Sequence, residues 1–167
     1  PEEFWFPFIG EITLKQEIMF GLYREDLFKI LIIPMYVMVV SNLVNMHSGY
    51  NGLQTGLSII LISTLVIRSI MDNEYDNILP AGASLGSLIA FYSYNSFPSK
   101  VFEGNIGSLT TGSLIGSLIV IQEYWWFGFF ILIPHTFNFT LWILWLYLMK
   151  KHPEKFTTTD GKHTKFG

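Results

Sequence analysis

Long apolar blocks separated by short polar segments dominate this sequence of 167 residues. Five blocks, at about 27–46, 57–71, 78–94, 109–121 and 127–149, approach or reach the roughly 20 apolar residues that a helix needs to cross a bilayer. They lack the polar stripe of an amphipathic soluble helix. The pattern therefore predicts an all-α, polytopic transmembrane helical bundle with about five spans.

The first 26 residues do not follow this pattern. Aromatic side chains are mixed there with glutamates, which makes the segment too polar to span a membrane. We expect a short, extracytosolic, hairpin-like segment at 1–26, transmembrane helices at 27–149 and a truncated cytosolic loop at 150–167. The chain is interpreted as part of a longer protein.

The composition supports a membrane location. Hydrophobic residues make up 50% of the sequence and charged residues only 14%, against roughly 25% charged in soluble domains. The sequence contains no cysteine, which excludes a disulfide framework and a thiolate metal site. We expect no nucleic-acid partner and leave a homodimer open.

The charges are unevenly divided between the two sides that alternating spans define. The side that carries the polar loops at 45–56 and 95–108 and the C-terminal segment has six lysines and three acidic residues, a net charge of +3. The other side has four basic and ten acidic residues, a net charge of −6. Because basic residues are enriched in cytosolic loops, we expect both polar loops to face the cytosol.

The first polar loop, at 45–56, contains asparagines and glycines but no acidic residue. An Asn-Gly pair predicts a turn, in which Gly52 would take a positive φ. One interpretation is therefore a tight connection between two spans. The other is a binding loop, because side-chain amides fixed at a helix end can bind a hard cation or the edge of a uracil base.

The second polar loop, at 95–108, brings glycines and free backbone N–H groups to the start of the fourth span. Such helix N-termini attract phosphate. Lys100 adds a positive charge, and Phe102 offers a ring face to a base. The alternative is a glycine-lined helix entry that only packs.

Each loop contains a motif of defined spacing. Residues 42–53 match Asn-x-x-Asn-x-x-x-Gly-x-Asn-Gly-Leu, and residues 98–105 match Pro-x-Arg/Lys-Val-Phe-x-Gly-Asp/Asn. Together they resemble the polyprenyl-phosphate N-acetylhexosamine-1-phosphate transferase superfamily (glycosyltransferase family 4). The chain is most similar to the eukaryotic and archaeal UDP-N-acetylglucosamine–dolichyl-phosphate N-acetylglucosamine-1-phosphotransferases, because bacterial members usually have Asp-Gly-Leu-Asp-Gly in the first loop.

The resemblance implies roles for individual residues of both loops. Asn45 corresponds to an amide ligand of Mg²⁺, and Asn105 takes the position of a second ligand, where many members have aspartate. Gly49 and Asn51 correspond to residues that bind uridine. Phe102 corresponds to the aromatic residue that stacks on the uracil ring.

The resemblance also indicates what this chain lacks. The family's pair of adjacent aspartates lies on an earlier cytosolic loop and does not occur here, so the catalytic residues are unassigned and the chain alone is expected to be inactive. Candidates for phosphate binding are Lys100, His152 and Lys155. His135 is interpreted as a group that hydrogen-bonds between helices, and the family requires no histidine at position 47.

The implied reaction is phosphoryl transfer from a UDP-amino-sugar to a polyprenyl or dolichyl phosphate, with Mg²⁺ as cofactor and release of UMP. In the eukaryotic and archaeal branch it moves N-acetylglucosamine-1-phosphate and initiates lipid-linked oligosaccharide synthesis for N-glycosylation. The active site would face the cytosol from an archaeal plasma membrane or an endoplasmic reticulum membrane. Two alternatives stay open: a bacterial-type transferase that initiates cell-wall or O-antigen synthesis, and a non-enzymatic transporter fragment.

Overall fold

A computed structural model describes the backbone at 3–6, 10–13, 17–19 and 22–152, and the side chains from Tyr23 to His152. Near the N-terminus, β1 (Glu3–Phe6) pairs antiparallel with β2 (Gly10–Thr13). A second antiparallel pair joins β3 (Glu17–Met19) to β4 (Leu22–Tyr23). Two short strand pairs therefore occupy the segment that the sequence predicts to be hairpin-like.

The rest of the described chain is helical, which confirms the predicted all-α class of the bundle. The helices are α1 (Arg24–Leu27), α2 (Ile33–Asn45), α3 (Leu53–Met71), α4 (Tyr75–Asn95), α5 (Gly104–Ile121), α6 (Trp125–Ile131) and α7 (Ile133–Lys151), with a π-helical turn, Phe28–Ile32, between α1 and α2. Each of the five predicted spans coincides with helix.

A proline accounts for the π-helical turn. Pro34 is the second residue of α2, where it has no N–H to donate and its ring crowds the carbonyl group four residues earlier. The helix widens just before it, so that the N–H of Ile33 donates to the carbonyl oxygen of Phe28. Arg24–Asn45 therefore continues as one long helix through the proline.

Three of the described helices are long and apolar enough to cross a membrane: Arg24–Asn45, Leu53–Met71 and Gly104–Ile121. The pair α6–α7 makes a fourth if it forms a single bent span. Helix α4 has 21 residues but does not reach the same hydropathy, because glycines, serines and a proline replace larger apolar residues along it. Length and composition thus support three or four spans in the described part of the chain, and the predicted number of five is not confirmed.

The predicted fifth span, at 127–149, is divided between two helices and is not straight. Helix α6 ends at Ile131, α7 begins at Ile133, and the two are bent by 55°. Pro134, the second residue of α7, supplies no N–H and its ring blocks the carbonyl group four residues earlier. Leu132 fills the break and is only 4% exposed, so the bend is fixed in the core.

The helices pack in two main pairs, α2 with α5 and α3 with α4, and α3 also contacts α5. Their buried apolar side chains form one cluster: Val40, Val44, Leu61, Ile62, Leu65, Ala81, Leu88, Ile115, Leu118, Ile119 and Leu132. Helices α2 and α5 approach each other closely at Gly112, where a Cβ atom would lie 2.6 Å from the Cα of Ser41. This contact holds the C-terminal end of α2 beside the first half of α5.

Candidate functional site

The two polar loops meet at one end of the bundle. Loop 1 comprises residues 46–52, between α2 and α3, and loop 2 comprises residues 96–103, between α4 and α5. A Cβ atom on Gly52 would lie 3.1 Å from the Cα of Ser96, so the loops are in contact. Beside them, the Thr55 hydroxyl donates to the side-chain oxygen of Asn95 over 2.8 Å. The structure therefore brings both loops to one end, as the alternation of spans predicts.

Loop 1 turns from α2 into α3 through a glycine in the left-handed region. The N–H of His47 donates to the carbonyl of Val44 over 3.1 Å, which extends the end of α2. Gly52 has a φ of 71°, so the positive φ predicted for it is confirmed. Gly49 is exposed, and apart from its chain neighbours no described atom lies within 4 Å of the position that a Cβ would take. A ligand therefore has room to approach the backbone of Gly49 closely.

Loop 2 presents an aromatic ring at the start of α5. The side-chain nitrogen of Asn95 donates to the carbonyl oxygen of Val101 over 2.9 Å, which ties the loop to the end of α4. Phe102 follows with 55% of its surface exposed. Gly104, with a φ of 67°, then begins α5. The ring is free to stack on a base, and that role stays a prediction.

Ser108 connects the two predicted magnesium ligands, and sequence reasoning missed it. Its hydroxyl contacts the side-chain oxygen of Asn45 and lies 2.8 Å from the carbonyl oxygen of Gly104 and 3.2 Å from that of Asn105. Asn45 is half-buried at the end of α2, whereas Asn105 is exposed in the first turn of α5. One buried serine thus links the residues that the motifs single out. The sequence signal that could have indicated Ser108 is a hydroxyl residue four positions after Gly104, the first residue of α5.

These residues offer oxygen atoms of the kind that Mg²⁺ prefers. The side-chain oxygens of Asn45, Asn105 and Ser108 are hard, neutral ligands. Among the residues that the structure describes, no group of three or more His, Cys, Asp or Glu side chains could hold a metal ion. Neutral oxygen ligands of this kind would suit a Mg²⁺ ion that also binds water and the phosphates of a substrate, and the metal-binding roles of Asn45 and Asn105 stay predictions.

Glu103, the only acidic residue of loop 2, connects α3 to α5 and was also missed from the sequence. Its carboxylate accepts a hydrogen bond from the Thr111 hydroxyl over 2.5 Å, and its second oxygen lies 3.4 Å from the Thr55 hydroxyl. The side chain folds over Gly107, where a Cβ atom would collide with it. Burial raises the pKa of the Glu103 carboxyl group, although both hydroxyls counteract this. Because these contacts depend on packing between helices, no local motif could have indicated them.

We expect Glu103→Leu to lower the free energy of unfolding by about 1–3 kcal/mol, because the Thr111 hydroxyl loses its buried acceptor. Glu103→Gln keeps an acceptor without the charge, and should be at least as stable as the parent near pH 7. A raised carboxyl pKa stabilises the fold below the ordinary glutamate pKa, and this contribution is lost as pH rises through the folded-state pKa. The glutamine variant should lack that decline in thermal unfolding temperature. Equal stability of the two variants at every pH would contradict this role.

An apolar groove of about 1540 Å³ opens between α2 and the pair α6–α7. Val39, Phe139 and Trp142 are among the apolar residues that line it. Asn45 and Gly49 line the same groove, so part of the predicted metal and uridine site borders an apolar space. Most of the residues that line the groove are apolar, which suits a lipid chain.

Asn51 lies elsewhere, although the resemblance groups it with Gly49. It lines a smaller cleft of about 630 Å³ between α3 and α4, together with Gly52 and Tyr92. Loop 1 therefore separates two depressions, with Gly49 on one and Asn51 on the other. The uridine-binding role of both residues stays a prediction.

The predicted phosphate ligands differ in how far the structure describes them. Lys100 is exposed in loop 2, where its backbone N–H donates to the carbonyl oxygen of Tyr94 over 2.8 Å. His152 directly follows the end of α7. Lys155 lies outside the described residues. The phosphate-binding roles of all three stay predictions.

Comparison with known proteins gives one family and several relatives. The model of the family described as Glycosyl transferase family 4 matches residues 6–123. A Methanocaldococcus jannaschii protein with the provisional name of a glycosyltransferase is 32% identical over 82% of this chain and 46% of its own length. A Saccharolobus solfataricus protein provisionally named UDP-N-acetylglucosamine--dolichyl-phosphate N-acetylglucosaminephosphotransferase is 33% identical over 81% of this chain and 39% of its own length.

Bacterial proteins are similar over a shorter stretch. The phospho-N-acetylmuramoyl-pentapeptide-transferase of Streptococcus uberis is 34% identical over 54% of this chain and 27% of its own length. The chain spans less than half the length of each of these three relatives. The family match includes both loops and every motif residue from Asn45 to Asn105. This chain therefore belongs to glycosyl transferase family 4.

Proposed function

We propose that this chain is part of an integral membrane enzyme that transfers a sugar-1-phosphate from a UDP-sugar to a polyprenyl phosphate. The observation that carries the proposal is the position of Asn45, which borders the apolar groove and also contacts Ser108 at the start of α5. A donor diphosphate at the start of α5 would lie beside the phosphate of a lipid held in the groove. Family membership supports an enzyme over the transporter alternative.

The donor would bind across the ends of α2 and α5. Free N–H groups in the first turn of α5, with the positive charge of Lys100 nearby in sequence, suit a diphosphate. The exposed Phe102 ring suits a uracil base, because every base has a face that can stack on an aromatic side chain. The open backbone at Gly49 leaves room for the nucleoside.

The lipid acceptor would occupy the groove between α2 and α7. Apolar side chains line most of that groove, and its volume of about 1540 Å³ exceeds what a nucleotide-sugar alone requires. A polyprenyl chain could enter sideways from the membrane and place its phosphate at Asn45. This arrangement accounts for a polar site at the edge of an apolar bundle.

In the proposed reaction, an oxygen atom of the polyprenyl phosphate attacks the sugar-linked phosphorus of the donor. The bond from that phosphorus to the UMP oxygen breaks, and UMP leaves with the electron pair. Such a transfer requires mainly correct positions and neutralisation of charge. Asn45, oriented by Ser108, and Asn105 would hold a Mg²⁺ ion, which supplies Lewis-acid stabilisation when it is bound.

We further propose that the sugar is N-acetylglucosamine, that the site faces the cytosol, and that the product initiates lipid-linked oligosaccharide synthesis for N-glycosylation. The provisional name of the Saccharolobus relative and the asparagine at position 51 support the donor, and the +3 charge of the loop side supports the orientation. The full-length protein should release UMP faster from UDP-N-acetylglucosamine than from UDP-N-acetylmuramoyl-pentapeptide. The opposite preference would favour the bacterial-type alternative.

Phe102→Ala should raise the KM for the UDP-sugar about 5- to 150-fold, because stacking of one base on an aromatic ring is worth about 1–3 kcal/mol. The kcat should change little, since the base is remote from the transferred phosphorus. Phe97→Ala is the matched control, because Phe97 belongs to the same loop and is 83% exposed. Equal effects of the two substitutions on KM would argue against a stacking role for Phe102.

A further inference from the structure

A buried polar cluster fastens loop 1 to the start of α7. His47 in loop 1 and His135 in α7 are 8% and 3% exposed, and their rings meet edge to face with centroids 4.7 Å apart. The side-chain nitrogen of Asn138, one turn further along α7, lies 3.2 Å from Nε2 of His47. Nδ1 of His47 lies 3.3 Å from the carbonyl oxygen of Leu43.

These contacts define the tautomer of His47. A carbonyl oxygen only accepts, so Nδ1 carries the proton and donates to Leu43, which leaves Nε2 to accept from the Asn138 amide. The ring of His47 therefore has a fixed orientation between α2 and α7.

His47 also has a particular place in loop 1. It lies two residues after Asn45, the predicted magnesium ligand, and two residues before Gly49, the predicted uridine contact. Asn138, its partner, is among the residues that line the apolar groove. One hydrogen bond thus joins the groove wall to the segment of loop 1 between the two predicted donor contacts.

We propose, on the basis of the function proposed above, that His47 is a positioning residue that couples the lipid groove to the donor site. A polyprenyl chain in the groove would pack against the side of α7 that carries Asn138, and so limit the positions that Asn138 can take. Through His47, the segment from Asn45 to Gly49 would then be held in the arrangement that binds the donor. The coupling is reciprocal, because a donor that orders loop 1 favours the same position of α7.

The His47–Asn138 hydrogen bond can be removed with little change in packing. His47→Phe keeps a ring against His135 but has no nitrogen to accept from Asn138. His47→Gln keeps a side-chain oxygen that can accept that hydrogen bond and serves as the conservative control. Asn138→Leu removes the donor from the other side, so Asn138→Leu and His47→Phe together should have no greater effect than either alone.

The first test is amide hydrogen exchange of residues 46–52 in the full-length protein, with and without polyprenyl phosphate in the detergent micelle. In the parent and in His47→Gln, the lipid alone should slow exchange in this segment by about 5-fold or more, as expected for a coupling of about 1 kcal/mol or more. In His47→Phe and Asn138→Leu the lipid should leave exchange unchanged. Equal slowing in all four proteins, or no slowing in the parent, would overturn the proposal.

The second test separates this inference from the proposed function. The affinity for UDP-N-acetylglucosamine is measured with and without polyprenyl phosphate, in the absence of Mg²⁺ to prevent turnover. The parent should bind the donor about 5-fold or more tightly with the lipid present, and His47→Phe should lose that difference. A parent that releases UMP normally but shows no such difference contradicts only the coupling. A parent that slows exchange with lipid but never releases UMP contradicts only the proposed function.

Discussion

Replacing Asn45 with alanine is expected to lower the rate of UMP release from the full-length protein by about 100- to 1000-fold. Removing one well-placed group that stabilises transition-state charge typically costs this much, about 2.7–4 kcal/mol. Asn45 ends α2, borders the apolar groove and contacts Ser108 through its side-chain oxygen. Its loss would remove an oxygen ligand from the point where the donor and acceptor phosphates are proposed to meet.

The matched control is Asn77→Ala, because Asn77 lies in the first turn of α4, at the end of the bundle opposite the two loops. It should keep nearly the full rate. Asn45→Asp retains an oxygen atom that can accept from Ser108 and serve as the proposed Mg²⁺ ligand, so it should lose less activity than the alanine variant. Normal activity of Asn45→Ala, or equal losses in Asn45→Ala and Asn77→Ala, would contradict the assigned role.

The second large effect is expected at Gly112, where alanine should lower the free energy of unfolding by about 1–3 kcal/mol. Its Cβ atom would lie 2.6 Å from the Cα and 2.9 Å from the carbonyl oxygen of Ser41. Both are backbone atoms of α2, so no side chain can rotate away and the two helices must separate. Activity should fall as well, because this contact holds Asn45 beside Ser108.

Gly82→Ala is the matched control for Gly112→Ala. Gly82 also lies inside a helix, but no described atom lies within 4 Å of its Cβ position. Alanine in such a position should stabilise the protein by about 0.4–1 kcal/mol, because the unfolded chain has less conformational freedom with alanine than with glycine. Thermal unfolding of the two variants in detergent should therefore shift in opposite directions. Equal shifts would show that α2 leaves room for a Cβ atom at Gly112, against the 2.6 Å separation from the Cα of Ser41.

The approximate positions of the helices followed from the apolar blocks, but two helix starts did not. The blocks at 57–71 and 109–121 predict short spans, whereas α3 begins at Leu53 and α5 at Gly104. The added turns contain polar residues that hydrogen-bond within the bundle, as Thr55 does with Asn95. Polar residues did not mark the starts of these two helices, because their side chains have hydrogen-bond partners inside the protein.

Prolines at similar positions had different outcomes. Pro34 and Pro134 each take the second position of a helix. At Pro34 a π-helical turn keeps the long helix continuous, whereas at Pro134 the chain bends by 55° and buries Leu132. The same helix position thus gave a continuous helix in one place and a bend in the other, which the prolines alone did not predict.

The alternation of spans correctly placed both loops at one end of the bundle, but the sequence did not predict how the loop residues are divided between neighbouring elements. Ser108 and Glu103 connect helices that are far apart in sequence, so their contacts arise only from tertiary packing. Gly49 and Asn51 are two residues apart, yet they line different depressions. The chain turns between Gly49 and Asn51, so the two residues border different sides of loop 1.

The central claim is that the sugar moves together with its phosphate, onto a lipid phosphate. The most direct test gives the full-length protein polyprenyl phosphate, Mg²⁺ and UDP-N-acetylglucosamine that is labelled at the sugar-linked phosphorus. We predict that this label enters the lipid fraction, that one UMP is released for each labelled lipid, and that both stop when the lipid is omitted. Label that remains in UDP while the sugar alone reaches the lipid, or the absence of any labelled lipid, would contradict the claim.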